Sequence, residues 1–166
     1  MRIKLNKKSI INGIFIYSIG DTIASLFLDE FSITRLLGIC LVGGFIYAFE
    51  IPNYFQWIDN KTKSIGTSEK SFKKSIIRTA LALLYFNPLW IARHLFFIQL
   101  FSFQFDAINI SLLIIASKSF ILNIPISIFA NYLIQNVLAL KYRFIASAIF
   151  SSLMAIYYAL SVVIFK

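Results

Sequence analysis

Five stretches of roughly 20 mostly apolar residues follow one another along the chain, and a run of that length spans bilayer hydrocarbon as a helix. They lie at about 9–28, 36–58, 76–101, 119–139 and 144–165. Residues 108–117 either extend the fourth or lie at the interface. Hydrophobic residues make up 59% of 166 and charged residues 14%. A soluble domain this small has too much surface to hide such a surplus. The expected fold is therefore all-α: one polytopic membrane helix bundle of four or five transmembrane helices covering residues 1–166, with no room for a soluble catalytic domain.

Charge gives the bundle an orientation. Sixteen Lys and Arg oppose seven Asp and Glu, a formal +9. The basic residues sit in short clusters between apolar runs, which fits an anionic membrane face and argues against a nucleic-acid partner. With the N-terminus cytoplasmic, twelve of the sixteen fall on that side: Arg2, Lys4, Lys7 and Lys8; Lys61, Lys63, Lys70, Lys73, Lys74 and Arg78; Lys141 and Arg143. Arg35 and the acidic pair Asp29–Glu30 fall outside. The polar loop 59–75 is then cytoplasmic, a topology anchor or a phosphate-binding patch. The first apolar run follows a basic start, but it is too long for a signal peptide and contains Asp21, so it reads as a retained span.

Ionisable groups inside spans are costly and normally face a partner or cavity. Asp21 lies about 20 Å above Lys8 and Arg93 about 22 Å above Arg78 on straight helices. They are expected to form a structural ion pair, or gate, between the first and third spans. Glu50, Asn87 and Asn131 share a second level, each about 14–15 Å above a cytoplasmic landmark. They read either as a polar solute path or proton-coupled site, with Glu50 as the proton carrier, or as an interhelical hydrogen-bond cluster. Pro52, Pro88 and Pro125 are expected to kink successive spans. Ser147, Ser151, Ala155 and Ala159 recur every four residues, as do Gly20 and Ala24, forming small faces for packing within the bundle or for a homo-oligomer.

Tyr54, Trp57, Tyr142, Tyr157 and Tyr158 stand near span ends as interfacial anchors. His94 has no evident catalytic partner and reads as packing or interfacial. No phosphate-binding loop, nucleophile elbow, zinc-protease motif or paired cysteines occur. One histidine and Cys40 alone argue against a metal site. No cofactor and no enzymatic activity are expected.

Tyr17-Ser18-Ile19-Gly20-Asp21-Thr22-Ile23-Ala24 with Asp29 resembles the opening of the Mpv-seventeen/peroxisomal membrane protein family. Arg35, Gly38, Gly43 and Tyr54-Phe55-Gln56-Trp57-Ile58-Asp59 resemble its next block, and Phe86-Asn87-Pro88 with Phe96-Phe97 its third. Pro125, Asn131-Tyr132, Lys141-Tyr142-Arg143 and Ala159-Leu160-Ser161 are similar to its C-terminal signature. The family's Gly-Pro, Asp-Gln and tryptophan-rich motifs are absent or substituted, so only Gly20, Asp21, Pro88, Asn131 and Arg143 carry over. The resemblance implies a small multi-span membrane protein concerned with channel activity and metabolite movement. Phe86-Asn87-Pro88-Leu89-Trp90 and Asn131-Tyr132-Leu133 also resemble, more loosely, the small bacterial alanine-exporter family.

The expectation is a channel or carrier for small polar solutes, formed or supported by this chain in the lipid bilayer. A small amino-acid exporter is one alternative. A non-transporting accessory or immunity-type protein, acting by helix contacts, is the other. The absence of a transit peptide and an Ile/Lys/Asn-rich composition favour a bacterial inner membrane.

Overall fold

The computed structural model describes residues 5–65 and 71–164, with side chains as far as Tyr157. Every regular element among them is helical. Helix α1 (Lys7–Phe27) begins at Asn6, whose Oδ1 accepts the Lys8 N–H at 3.0 Å and so satisfies one exposed donor of the first turn. Helix α2 (Ile33–Leu41) passes through a π-helical turn (Val42–Tyr47) into α3 (Ala48–Thr62). Helices α4 (Phe72–Tyr85) and α5 (Pro88–Phe101) follow, then a short 3₁₀ turn (Phe105–Ala107). Helices α6 (Ser111–Asn136) and α7 (Leu140–Ile164) complete the bundle.

Among the described residues four segments are long and apolar enough to cross a membrane: Lys7–Phe27, Ile33–Thr62, Phe72–Phe101 and Ser111–Asn136. They correspond to the first four expected spans, and residues 111–117 extend the fourth as helix. The fifth expected span, 144–165, coincides with α7, whose last side chains lie outside the described residues. The expected loop is shorter than 59–75, because α3 continues to Thr62 and includes Asp59, and α4 begins at Phe72.

Burial is inverted relative to a soluble protein. Phe15, Ile19, Leu26, Ile121 and Phe129 are exposed, while Asp21, Arg35, His94, Asn131 and Gln135 are buried. So much outward apolar surface is stable only against hydrocarbon or a partner. The apolar core gathers Tyr17, Ile39, Tyr47, Ile51, Phe55, Trp90, Ile91 and Leu95 where α1, α3 and α5 meet the π turn.

Small residues set how closely these helices approach. A Cβ on Gly13 would collide with the Gly43 carbonyl across the α1–π-turn contact. A Cβ on Gly20 would lie 2.5 Å from the Ser152 Cβ, and Ser152 Oγ donates to the Ile16 carbonyl at 2.7 Å. Ser147, Ser151 and Ala155 are buried within the chain. The small faces of α1 and α7 are thus occupied by one another and by their neighbours; Ala159 lies outside the described side chains.

The prolines behave differently from one another. Pro52 and Pro125 lie inside α3 and α6. Pro88 does not kink a continuous helix: it occupies the first turn of α5, where its missing N–H is not needed. Asn87 caps that turn, its Oδ1 accepting the Trp90 N–H at 3.1 Å and its Nδ2 donating to the Leu84 carbonyl at 2.9 Å. The third span is therefore two helices joined at Phe86–Asn87.

Candidate functional site: a polar seam between two helices

On α6, Ser119, Asn123, Ser127, Asn131 and Gln135 recur every four residues, and all five are buried. Residues four apart share a helix face. The stripe runs from Ser119 to Gln135, about 24 Å of rise, most of a roughly 30 Å hydrocarbon layer. The antiparallel α7 answers with Arg143, Ser147, Ser151 and Ala155 at the same spacing, again buried. Two four-residue periods running in opposite directions keep facing one another, so a polar seam results.

Within the seam Asn131 Nδ2 donates to the Ser127 carbonyl at 2.9 Å. Asn123 Nδ2 reaches Ser127 Oγ at 3.2 Å and Met154 Sδ at 2.8 Å. At one end Tyr157 Oη donates to the Ser119 carbonyl at 3.2 Å. Midway, Ser127, Asn131, Ser147 and Ser151 line a partly open cavity of about 20 Å³, whose wall Phe86, Trp90, Phe150 and Met154 complete.

Charges close the other end. Asp59 Oδ1 receives Arg143 Nη1 at 2.6 Å and lies 3.3 Å from Arg78 Nη2. Arg143 Nε donates to the Leu138 carbonyl at 3.0 Å, and its Nη1 reaches Gln135 Oε1 at 3.4 Å. Arg78 Nε donates to Thr62 Oγ1 at 3.0 Å. This knot ties the C-terminal ends of α3 and α6 to the middle of α4 and the N-terminal end of α7.

The expected Asp21–Arg93 pair is corrected by two other pairs. Asp21 receives Arg35 Nε at 2.9 Å and Nη2 at 2.8 Å, both side chains 2% exposed. Arg93 instead makes a bidentate bond to Glu50, at 3.0 and 2.7 Å, with the two side chains 35% and 32% exposed. Tyr85 Oη donates to the same carboxylate at 2.7 Å. Two physical features decide this. A short α1–α2 connection places Arg35, one turn into α2, beside Asp21. The break at Phe86–Asn87 defeats a straight-helix depth for Arg93, whose long side chain spans the remaining difference.

The expected polar layer of Glu50, Asn87 and Asn131 is likewise not one site. Glu50 is held by Arg93 and Tyr85, Asn87 caps α5, and only Asn131 lines the seam cavity. Arg143 lies in the basic knot and Gly20 at the α1–α7 contact. His94 is buried, its Nδ1 3.1 Å from Tyr47 Oη, and stacks on Trp90 with ring centroids 5.8 Å apart. Among the described residues no three His, Cys, Asp or Glu side chains gather as metal ligands would.

Sequence reasoning from ionisable residues missed Ser119, Asn123, Ser127 and Gln135. Their signal was periodic: neutral polar residues four apart on a strongly apolar helix. No family profile, curated protein or solved structure matches this chain.

Proposed function

We propose that the chain forms, or helps to form, a path for small polar solutes through a membrane, with the α6–α7 seam as its lining. The observation that carries this reading is the buried neutral stripe Ser119–Asn123–Ser127–Asn131–Gln135, which runs most of the way across the apolar layer. Purely structural packing needs no polar group at every turn, and each such group must find a partner away from water. Asn131 and Arg143, two of the positions resembling the Mpv-seventeen family, belong to the seam and its basic end. Bound to Arg93 and Tyr85, Glu50 is a bracing residue rather than a proton carrier. We place the N-terminus and the basic knot on the cytoplasmic side of a bacterial inner membrane, from the distribution of Lys and Arg.

Reconstitution into liposomes tests this. Wild-type protein should accelerate equilibration of small uncharged polar solutes, and Asn131→Leu, which puts a branched apolar side chain into the seam, should return the rate to that of empty vesicles. Equal rates for wild-type and protein-free liposomes would overturn the path.

One observation favours a second reading, the accessory protein acting by helix contacts. The Glu50–Arg93 pair is about one-third exposed on a membrane-spanning face. Ions at such a position call for polar cover. Copurification of a larger membrane complex, lost in Glu50→Gln, together with absence of flux from the isolated chain, would establish it in place of the path.

A further inference from the structure

The cavity in the middle of the seam is the site most open to assignment. Its roughly 20 Å³ exceeds the 10–15 Å³ or so that one water centre requires, on the same measure. Size alone does not make a water site; the occupant also needs two to four polar partners. Ser127, Asn131, Ser147 and Ser151 bring hydroxyl and amide groups to the wall from two helices.

The second observation is Trp90. This side chain is 6% exposed, lines the cavity, and its indole Nε1 has no hydrogen-bond partner among the described residues. An indole nitrogen only donates, and leaving a buried donor unmet costs about 1–3 kcal/mol. The ring cannot readily turn to seek another acceptor, because it stacks on His94 within 6° of parallel and meets Phe86 edge-on at 5.2 Å.

We infer that this cavity binds one uncharged, hydrogen-bonding molecule of a single heavy atom, water in the resting protein, through Trp90 Nε1 and the hydroxyl and amide groups of Ser147, Ser151 and Asn131. The molecule's oxygen accepts from the indole, and its two protons go to oxygen acceptors of α6 and α7. Among the described residues no ionisable side chain lines the cavity. An ion would have to leave its hydration shell for a neutral wall of this size, a cost that neutral dipoles replace poorly. The site therefore sets the class of solute admitted by the seam as neutral. That selectivity rests on the proposed path, whereas occupancy by water does not.

The chain has two tryptophans, Trp57 and Trp90, so indole-labelled protein in lipid nanodiscs gives two Nε1–H resonances, assigned with Trp57→Phe. The Trp90 resonance should show direct cross-relaxation with a long-lived water, distinguished by sign from hydrogen exchange. Ser151→Val, which fills the cavity, should remove that signal, while Ile121→Ala, on the outward face of α6 and away from the cavity, should keep it. An unchanged Trp57 resonance reports that each variant is folded. A wild-type Trp90 resonance with no water contact overturns the site, and so does a contact that survives in folded Ser151→Val. Water contact without flux in the liposome assay leaves the site standing and removes only the path.

Discussion

Asp21 sits in α1 with its carboxylate doubly bonded to Arg35, both shielded from the outside. Removing one partner of such a pair strands the other, so Arg35→Gln should cost about 3–5 kcal/mol. Unfolding in lipid bicelles reads this loss, and the double variant Asp21→Asn/Arg35→Gln should regain part of it. Double-mutant cycles separate the pairs further. Asp21/Arg35 and Glu50/Arg93 should couple, while Asp21/Arg93 should be additive to within about 0.5 kcal/mol. Coupling of Asp21 to Arg93 comparable with the other two would refute these assignments. That Asp21 and Arg93 need partners of opposite charge was legible in the sequence, since an ion in an apolar run requires one. The partner's identity was not, because depth along a helix fixes neither rotation about its axis nor the order in which helices pack. Arg35 and Asp59 were read as loop or topology charges for the same reason: each lies near a helix end, and only packing turns it inward.

Two helices end in the same way at the level of elements, and neither uses glycine. After α1, Asp29 takes a positive φ of 53°, with the Glu30 N–H bonded to the Ser25 carbonyl at 2.9 Å and the Asp29 N–H to Leu26 at 3.3 Å. After α5, Phe103 has φ 58°, with Gln104 bonded to Gln99 at 3.0 Å and Phe103 to Leu100 at 3.3 Å. This six-to-one closure satisfies the last carbonyls but favours a residue without Cβ. Phe103 is well exposed, so Phe103→Gly should stabilise the protein by about 1 kcal/mol, relieving left-handed strain at little loss of burial. A calorimetric scan in detergent would show it as a raised midpoint. At the α1–α7 contact the reverse holds: Gly20→Ala should destabilise by about 1–3 kcal/mol through overpacking against Ser152, and Ser152→Gly on that background should restore much of it. The positions and order of the four long apolar segments followed from the lengths of the apolar runs, whereas their division into shorter helices did not. The interruption at Phe86–Asn87 was hidden because Asn and Pro in an apolar run suit a kink or a helix start equally, and the π turn left no mark beyond Gly43 and Gly44.

At the scale of the whole molecule, the described residues present apolar side chains outward and keep a neutral polar stripe inside, with an ionic knot at one end of it. If the basic knot is cytoplasmic, single cysteines replacing Lys63 and Phe103 in a Cys40→Ser background should react with an impermeant reagent from opposite sides of the membrane, Lys63→Cys only after the cytoplasmic face is opened. Reaction of both from one side would contradict α4 and α5 together forming a crossing. The test that reaches furthest uses the unmodified protein: a carbene precursor dissolved in the acyl chains of its membrane, photolysed, with adducts mapped along α6 by mass spectrometry. Adducts should fall on Ile121, Leu122, Ile126 and Phe129, which face outward, and should spare Ser119, Asn123, Ser127, Asn131 and Gln135. Equal labelling of both sets, or no labelling of α6 from the hydrocarbon, would show that this helix does not turn a polar seam inward from lipid.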